Sequence, residues 1–229
     1  MSSDQDAATF VLIHGGGGSS WDWHLVEPEL RELGHRVIAV DLPIEDPDTG
    51  ISEYADSVIA DIGDARNIVV VGHSFGGITA PVVCSRIHTE LLVLLNAMIP
   101  VPGQAPDKWW DGAEYGALGI KMETEEQINE VFMHDVPAEL VAESQKHGRD
   151  QTDKDGDKPI PLESWPDVPT RFLLFRDDRF FPPEFMRPLV QKRLGITPDE
   201  IDGSHCMMLS RPKELAQRLD QYWSERKNV

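Results

Sequence analysis

Gly72-His73-Ser74-Phe75-Gly76 concentrates the residue types in this chain that can do chemistry. The serine stands between glycines two positions before and two after it. It follows an apolar run, Asn67-Ile68-Val69-Val70-Val71, and precedes a stretch, residues 77–86, that reads as a helix. A turn that joins strand to helix this sharply needs small residues at both glycine positions. It holds the serine hydroxyl exposed at the edge of a sheet, the geometry of a nucleophile elbow. The five-residue motif alone is common; the strand before it and the helix after it give it weight.

A serine hydroxyl is a poor nucleophile at neutral pH until a base takes its proton. Of the eight histidines, His205 is placed best: it follows the last strand candidate, in Asp202-Gly203-Ser204-His205, and precedes the final helix. His35 and His88 read as surface residues near element ends, and His73, next to the serine, points away from it because adjacent side chains diverge. The base in turn needs a carboxylate to orient it. The loop after the fifth strand offers Asp177 and Asp178, whereas the fourth strand ends in Asn96-Ala97-Met98 without an acid. An oxyanion needs backbone donors already in place. The Phe75 N–H, just after the serine, is one candidate, and Gly16, in His14-Gly15-Gly16-Gly17-Gly18, is the other. Four consecutive glycines are too flexible for a preorganised site, so the reading expects Trp21 or Trp23 to pin them.

Strand candidates at residues 9–13, 37–40, 68–71, 91–95, 171–175 and 196–201 alternate with helix candidates at 25–33, 51–62, 77–86 and 211–226. This pattern predicts an α/β fold, a doubly wound, mostly parallel sheet of about six strands, whose carboxyl ends gather the glycine loop, the elbow and the acidic loop. Residues 98–168 break the alternation and read as a helical lid inserted into a core of residues 1–97 and 169–229. His14, Trp109, Trp110, Phe132 and His134 are its candidate pocket residues; His14 would also shape the glycine loop, and the two tryptophans are equally suited to packing the lid onto the body. Asp153-Lys154-Asp155-Gly156-Asp157 resembles a calcium loop, but Gln151 and Leu162 fall where ligands are required, so it reads as a solvated loop.

With 229 residues and 40% apolar content, the chain suits one large domain. No apolar run approaches bilayer length, and the polar, acidic start and two distant cysteines, Cys84 and Cys206, give the expectation of a cytoplasmic protein with reduced thiols. A formal net charge of −19 argues against nucleic acid and anionic membranes as partners. No C-x-x-C or H-E-x-x-H pattern suggests a metal, and no cofactor is expected. The expected partner is a small-molecule substrate, with a homodimer open.

With these motifs in place, the chain resembles the α/β-hydrolase superfamily, and within it the branch of plant methylesterases and hydroxynitrile lyases. His14-Gly15 followed by Trp21-Asp22-Trp23 is similar to that branch's H-G-x5-W-x-W opening, and Gly72 to Gly77 matches its G-H-S-x-G-G. Asp178-Arg179-Phe180-Phe181-Pro182 looks like its D-x-x-x-P after the acid strand, which selects Asp178 over Asp177. The run from Gly203 to Pro212 is similar to its histidine loop. The resemblance implies a Ser74, Asp178, His205 triad cleaving a small, hydrophobic carboxylic ester or lactone through an acyl-enzyme. The lyases of the branch carry a lysine after the histidine and a threonine after the opening histidine; Cys206 and Gly15 stand there and favour hydrolysis. The competing expectations are a carbon–carbon lyase or cofactor-free oxygenase on the same triad, and a non-catalytic small-molecule receptor.

Overall fold

The computed structural model describes residues 7–152 and 156–226. The acidic start of the chain, and Asp153, Lys154 and Asp155 of the calcium-like stretch, lie outside the described residues. Six strands form one sheet: β1 (Thr9–Ile13), β2 (Arg36–Ala39), β3 (Ile68–His73), β4 (Leu91–Leu95), β5 (Thr170–Phe175) and β6 (Asp199–Ile201). Their spatial order is β2-β1-β3-β4-β5-β6, and every neighbouring pair is parallel.

The central strands are continuous apolar runs because both faces are covered. The two-residue period sorts them cleanly. Val11, Ile13, Val70, Leu92, Leu94, Phe172 and Leu174 enter one core, while Phe10, Leu12, Val69, Val71, Val93, Leu95 and Phe175 enter the other. α1 (Val26–Glu32) and α9 (Pro212–Glu225) cover the second face, and α9 lays Leu215, Ala216, Leu219, Tyr222 and Trp223 on it, the stripe of an amphipathic helix begun by a proline in its first turn. α2 (Ile51–Ile62) and α3 (Gly76–Arg86) pack on the first face.

Between β4 and β5 the alternation stops. Its described residues carry short helices, α4 (Lys108–Gly112), α5 (Glu125–Phe132) and α6 (Ala138–Ser144), and a 3-10 turn at Tyr115–Leu118. Thr124 caps α5 by accepting the Gln127 N–H. α7 (Pro183–Leu194), which the sequence reading leaves unassigned, follows β5; it buries Met186, Leu189 and Val190 at helical spacing, but its two prolines disguise it. α8 (Met207–Ser210) is a single turn ahead of α9. Among the described residues no helix is long and apolar enough to cross a membrane.

The chain leaves β1 toward β2 on one side and enters β3 on the other. The switch point therefore falls between β1 and β3, and the crevice beyond their carboxyl ends is where such sheets bind ligands. The glycine loop continues β1 and the Ser74 turn continues β3 into that crevice. The turn depends on close backbone approach. A Cβ on Gly76 would lie 2.6 Å from the His14 carbonyl oxygen and 2.9 Å from that of Ile13, and one on Gly72 would lie 2.9 Å from the Ala80 Cβ. Gly76→Ala must push β1 away from α3, so it should cost about 3 kcal/mol. Urea unfolding reads this directly; a change below about 0.5 kcal/mol would show that the backbones separate freely.

Candidate active site

Ser74 adopts φ +50°, the left-handed region that a non-glycine residue enters at a cost of roughly 1–3 kcal/mol. The surroundings determine it from both sides. Its N–H donates to the Leu95 carbonyl (3.3 Å), and its own carbonyl accepts from Gly77 (3.1 Å) and Met98 (2.9 Å). The serine is 7% exposed, at the amino end of α3, where the helix dipole favours developing negative charge.

His205 comes from the loop between β6 and α8. Its Nδ1 lies 2.6 Å from the Asp178 Oδ2. Asp178 is buried, and its carboxylate is fully engaged: Oδ1 accepts the N–H groups of Phe180 (2.7 Å) and Phe181 (2.9 Å), and Oδ2 accepts from Asn96 Nδ2 as well as from His205. Asn96 Nδ2 also donates to the Phe181 carbonyl at 2.9 Å. The strand end that seemed empty of acids thus supplies a donor to the acid of the next strand. Asp177 faces elsewhere, accepting the Gly203 N–H at 3.0 Å. The rings of Phe132, Phe180 and Phe181 stand edge-on to His205 at 5.0–5.6 Å, excluding water from the imidazole.

His73 ties the serine turn to the histidine loop. Its Nε2–H donates to the His205 carbonyl at 2.9 Å, and the two rings lie 4.7 Å apart. Burial and the neighbouring His205 hold its pKa well below the usual histidine value, so it is a neutral donor. Among the described residues no hydrogen bond joins the Ser74 hydroxyl to His205; such bonds often tighten only when substrate is bound.

The glycine loop lies against the residue after the serine. A Cβ on Gly16 would sit 3.6 Å from the Phe75 Cβ. Among the described residues, neither the Gly16 nor the Phe75 N–H donates to a protein acceptor. The expected tryptophan clamp is not what holds the loop: Trp23 is buried in the core, and Trp21 stacks on His24 and His147. The clamp comes from the β4–β5 segment, across more than 130 residues of chain. The Arg149 N–H donates to the Gly17 carbonyl (2.8 Å), its Nε to Gly18 (2.9 Å), and its two terminal nitrogens to the Leu42 carbonyl (3.1 Å) and His14 Nε2 (2.9 Å). Gln151 Oε1 accepts the Gly17 N–H at 3.0 Å. A guanidinium presents a rigid fork of donors, and here they are spread over the glycine loop and its neighbours.

The candidate pocket residues separate. Phe132 borders a cavity of about 580 Å³ beside His73, Cys206 and the glycine loop. His14 does not: it is fully buried, its Nδ1–H donates to the Gly15 carbonyl (2.7 Å), and its Nε2 accepts from Leu42 and Arg149. Trp109 is also core, with Nε1 donating to the Ile99 carbonyl, and Trp110 packs on Tyr115, Phe180 and Phe181. His134 donates to the Asp177 carbonyl, in a separate concavity. His35 is no surface residue; it bonds Ala8 N–H and Asp220 from a buried position. Among the described residues no cluster of three or more His, Cys, Asp and Glu is arranged to hold a metal.

A model described as "Alpha/beta hydrolase family" matches residues 10–218. Methylesterase 3 of Arabidopsis thaliana is 26% identical, the match covering 96% of this chain and 97% of that protein. Alpha-hydroxynitrile lyase of the same plant is 28% identical over 92% of this chain and 95% of its own length. The crystal structure of polyneuridine aldehyde esterase superposes with a TM-score of 0.79 at 21% identity, over 94% of this chain and 98% of that one, which is a likeness of fold.

The buried histidines make stability depend on pH. Burial, the largest cause, lowers His14 to about 4 from an ordinary 6.5, and His73 shifts the same way. The unfolded chain therefore binds more protons between these values, so stability is full above pH 6.5 and is lost as pH falls toward 4, by about 3 kcal/mol for His14 alone. Asp22, raised by burial to about 6, acts in the opposite sense over part of that window. Urea unfolding at pH 7.5 and 4.5 should show a large loss for the wild type and a smaller pH dependence for His14→Gln. Equal pH dependence in the two proteins would remove His14 from this account.

Proposed function

The chain belongs to the alpha/beta hydrolase family, and from that membership we propose that it cleaves small, apolar carboxylic esters through an acyl-enzyme on Ser74. The observation that carries this reading is the 2.6 Å bond between His205 Nδ1 and Asp178 Oδ2, held by a carboxylate with three further donors. With Nδ1 protonated and facing Asp178, the other nitrogen of His205 is left as the acceptor. Ser74 Oγ attacks the acyl carbon while His205 Nε2 takes its proton. The carbonyl oxygen becomes an oxyanion, met by the N–H groups of Gly16 and Phe75, each worth about 3 kcal/mol in such sites. The tetrahedral intermediate collapses, and the imidazolium gives its proton to the departing alcohol. Water, deprotonated by His205, then releases the acid and restores the serine.

The β4–β5 segment is the cap over this crevice, and through Arg149 and Gln151 it also stiffens the oxyanion loop. Hydrolysis is favoured over cyanohydrin cleavage by the chemistry available: among the described residues no lysine borders the cavity beside Cys206. The relatives named as esterases agree with this choice.

Ser74→Ala should lower kcat/KM for p-nitrophenyl butyrate by about 10³-fold or more, with an unchanged thermal midpoint. Retained turnover in a folded variant would end the proposal. Arg149→Ala should lower kcat by roughly tenfold or more with a small change in KM, because the loop's donors matter most to the transition state, and Arg149→Lys should recover part of the loss. A rise in KM alone would show that Arg149 only shapes the pocket.

A further inference from the structure

The cavity beside the site has an apolar wall and one unusual polar group. Phe132 and Met133 at the end of α5 and Met208 and Leu209 on α8 supply the wall, and Asp22 lines the same cavity next to the glycine loop. The Asp22 carboxyl leans onto Gly18, whose hydrogen leaves room that a Cβ would fill. Among the described residues neither lysine nor arginine lines the cavity, and the second acid there, Glu125, accepts from Gln145 Nε2 at 2.6 Å.

Asp22 lacks a counter-ion. Among the described residues no cation lies within ion-pair distance of it. The charged neighbours are Arg149, Asp41 and His147. Arg149 spends its donors on Gly18, Leu42 and His14 and pairs at 3.8 Å with Asp41 and 4.0 Å with Glu45, while His147 faces Glu143 at 3.4 Å. Loss of water raises Asp22 to about 6 although the Ser19 N–H favours its anion, so at pH 7.5 it is ionised in a poorly solvated place. Such a charge is costly unless something pairs with it. A ligand that is apolar over most of its surface and positive at one end matches both the wall and the carboxylate.

We propose that this cavity is a substrate subsite for an arm bearing a protonated amine, with Asp22 as its counter-charge. The inference rests on the ester-hydrolase reading for the word substrate; the binding claim does not need it. Glycine residues 16 to 18 border the cavity, and Gly16 lies against Phe75, the residue after Ser74.

The test compares benzylamine, protonated at pH 7.5, with neutral benzyl alcohol of nearly equal shape. Calorimetric titration of the wild type should give at least tenfold tighter binding of the amine. Asp22→Asn should remove that preference, and so should Ile128→Lys, which sets a cation at the exposed rim of the same cavity. Benzylamine should inhibit the hydrolysis of p-nitrophenyl acetate competitively in the wild type and not in either variant. Equal affinity for the two ligands, a preference that survives both substitutions, or binding without competition would overturn the proposal. Full p-nitrophenyl acetate turnover by Ser74→Ala would instead overturn the hydrolase reading and leave the calorimetric result standing by itself.

Discussion

A buried carboxylate has to be surrounded by donors, and Asp178 is. Two backbone N–H groups, one asparagine amide and one imidazole converge on its two oxygens. The donors come from different parts of the sheet edge: Asn96 closes β4, Phe180 and Phe181 follow β5, and His205 follows β6. One charge therefore fixes the relative positions of three consecutive loops. It also sets the tautomer of His205, because an imidazole that donates from Nδ1 is left with Nε2 as an acceptor. Removing any one donor would leave that charge short of a partner in a site ringed by three phenylalanines, the costly way to break a buried pair.

The opposite half of the crevice meets a different constraint. Gly16 must bring its backbone against Phe75, and glycines permit that approach but do not hold it. Rigidity is supplied from outside the loop, by Arg149 and Gln151. Neutral His14 accepts one of the Arg149 donors and gives its own N–H to Gly15, so its burial without charge is part of the same network. The segment between β4 and β5 thus braces the glycine loop. A change in that segment reaches the glycine loop as well as the cavity wall.

The sheet was legible because buried parallel strands are uninterrupted apolar runs, and the elbow because its two glycines answer a local steric demand. Helix α7 was not, since Pro183 and Pro188 mask an apolar spacing that was present at Met186, Leu189 and Val190. The Arg149 clamp joins residues more than 130 positions apart, and nothing local to either end announces it. Asn96 was passed over because the reading looked for an acid at that strand end, not for a donor to the acid of the next strand. Trp109 and His14 show the limit of residue type as a guide. Both look like ligand contacts, and both turn out to have their polar atoms satisfied inside the protein.

The central claim is that Ser74 becomes acylated and that water then clears it. Stopped-flow mixing with p-nitrophenyl acetate tests it most directly, since p-nitrophenol leaves during acylation and before deacylation. The account predicts an initial burst of one equivalent of p-nitrophenol per protein molecule, followed by slower steady turnover, and no burst from folded Ser74→Ala. A burst of the same size in Ser74→Ala would contradict it, because the acyl group would then rest on another residue.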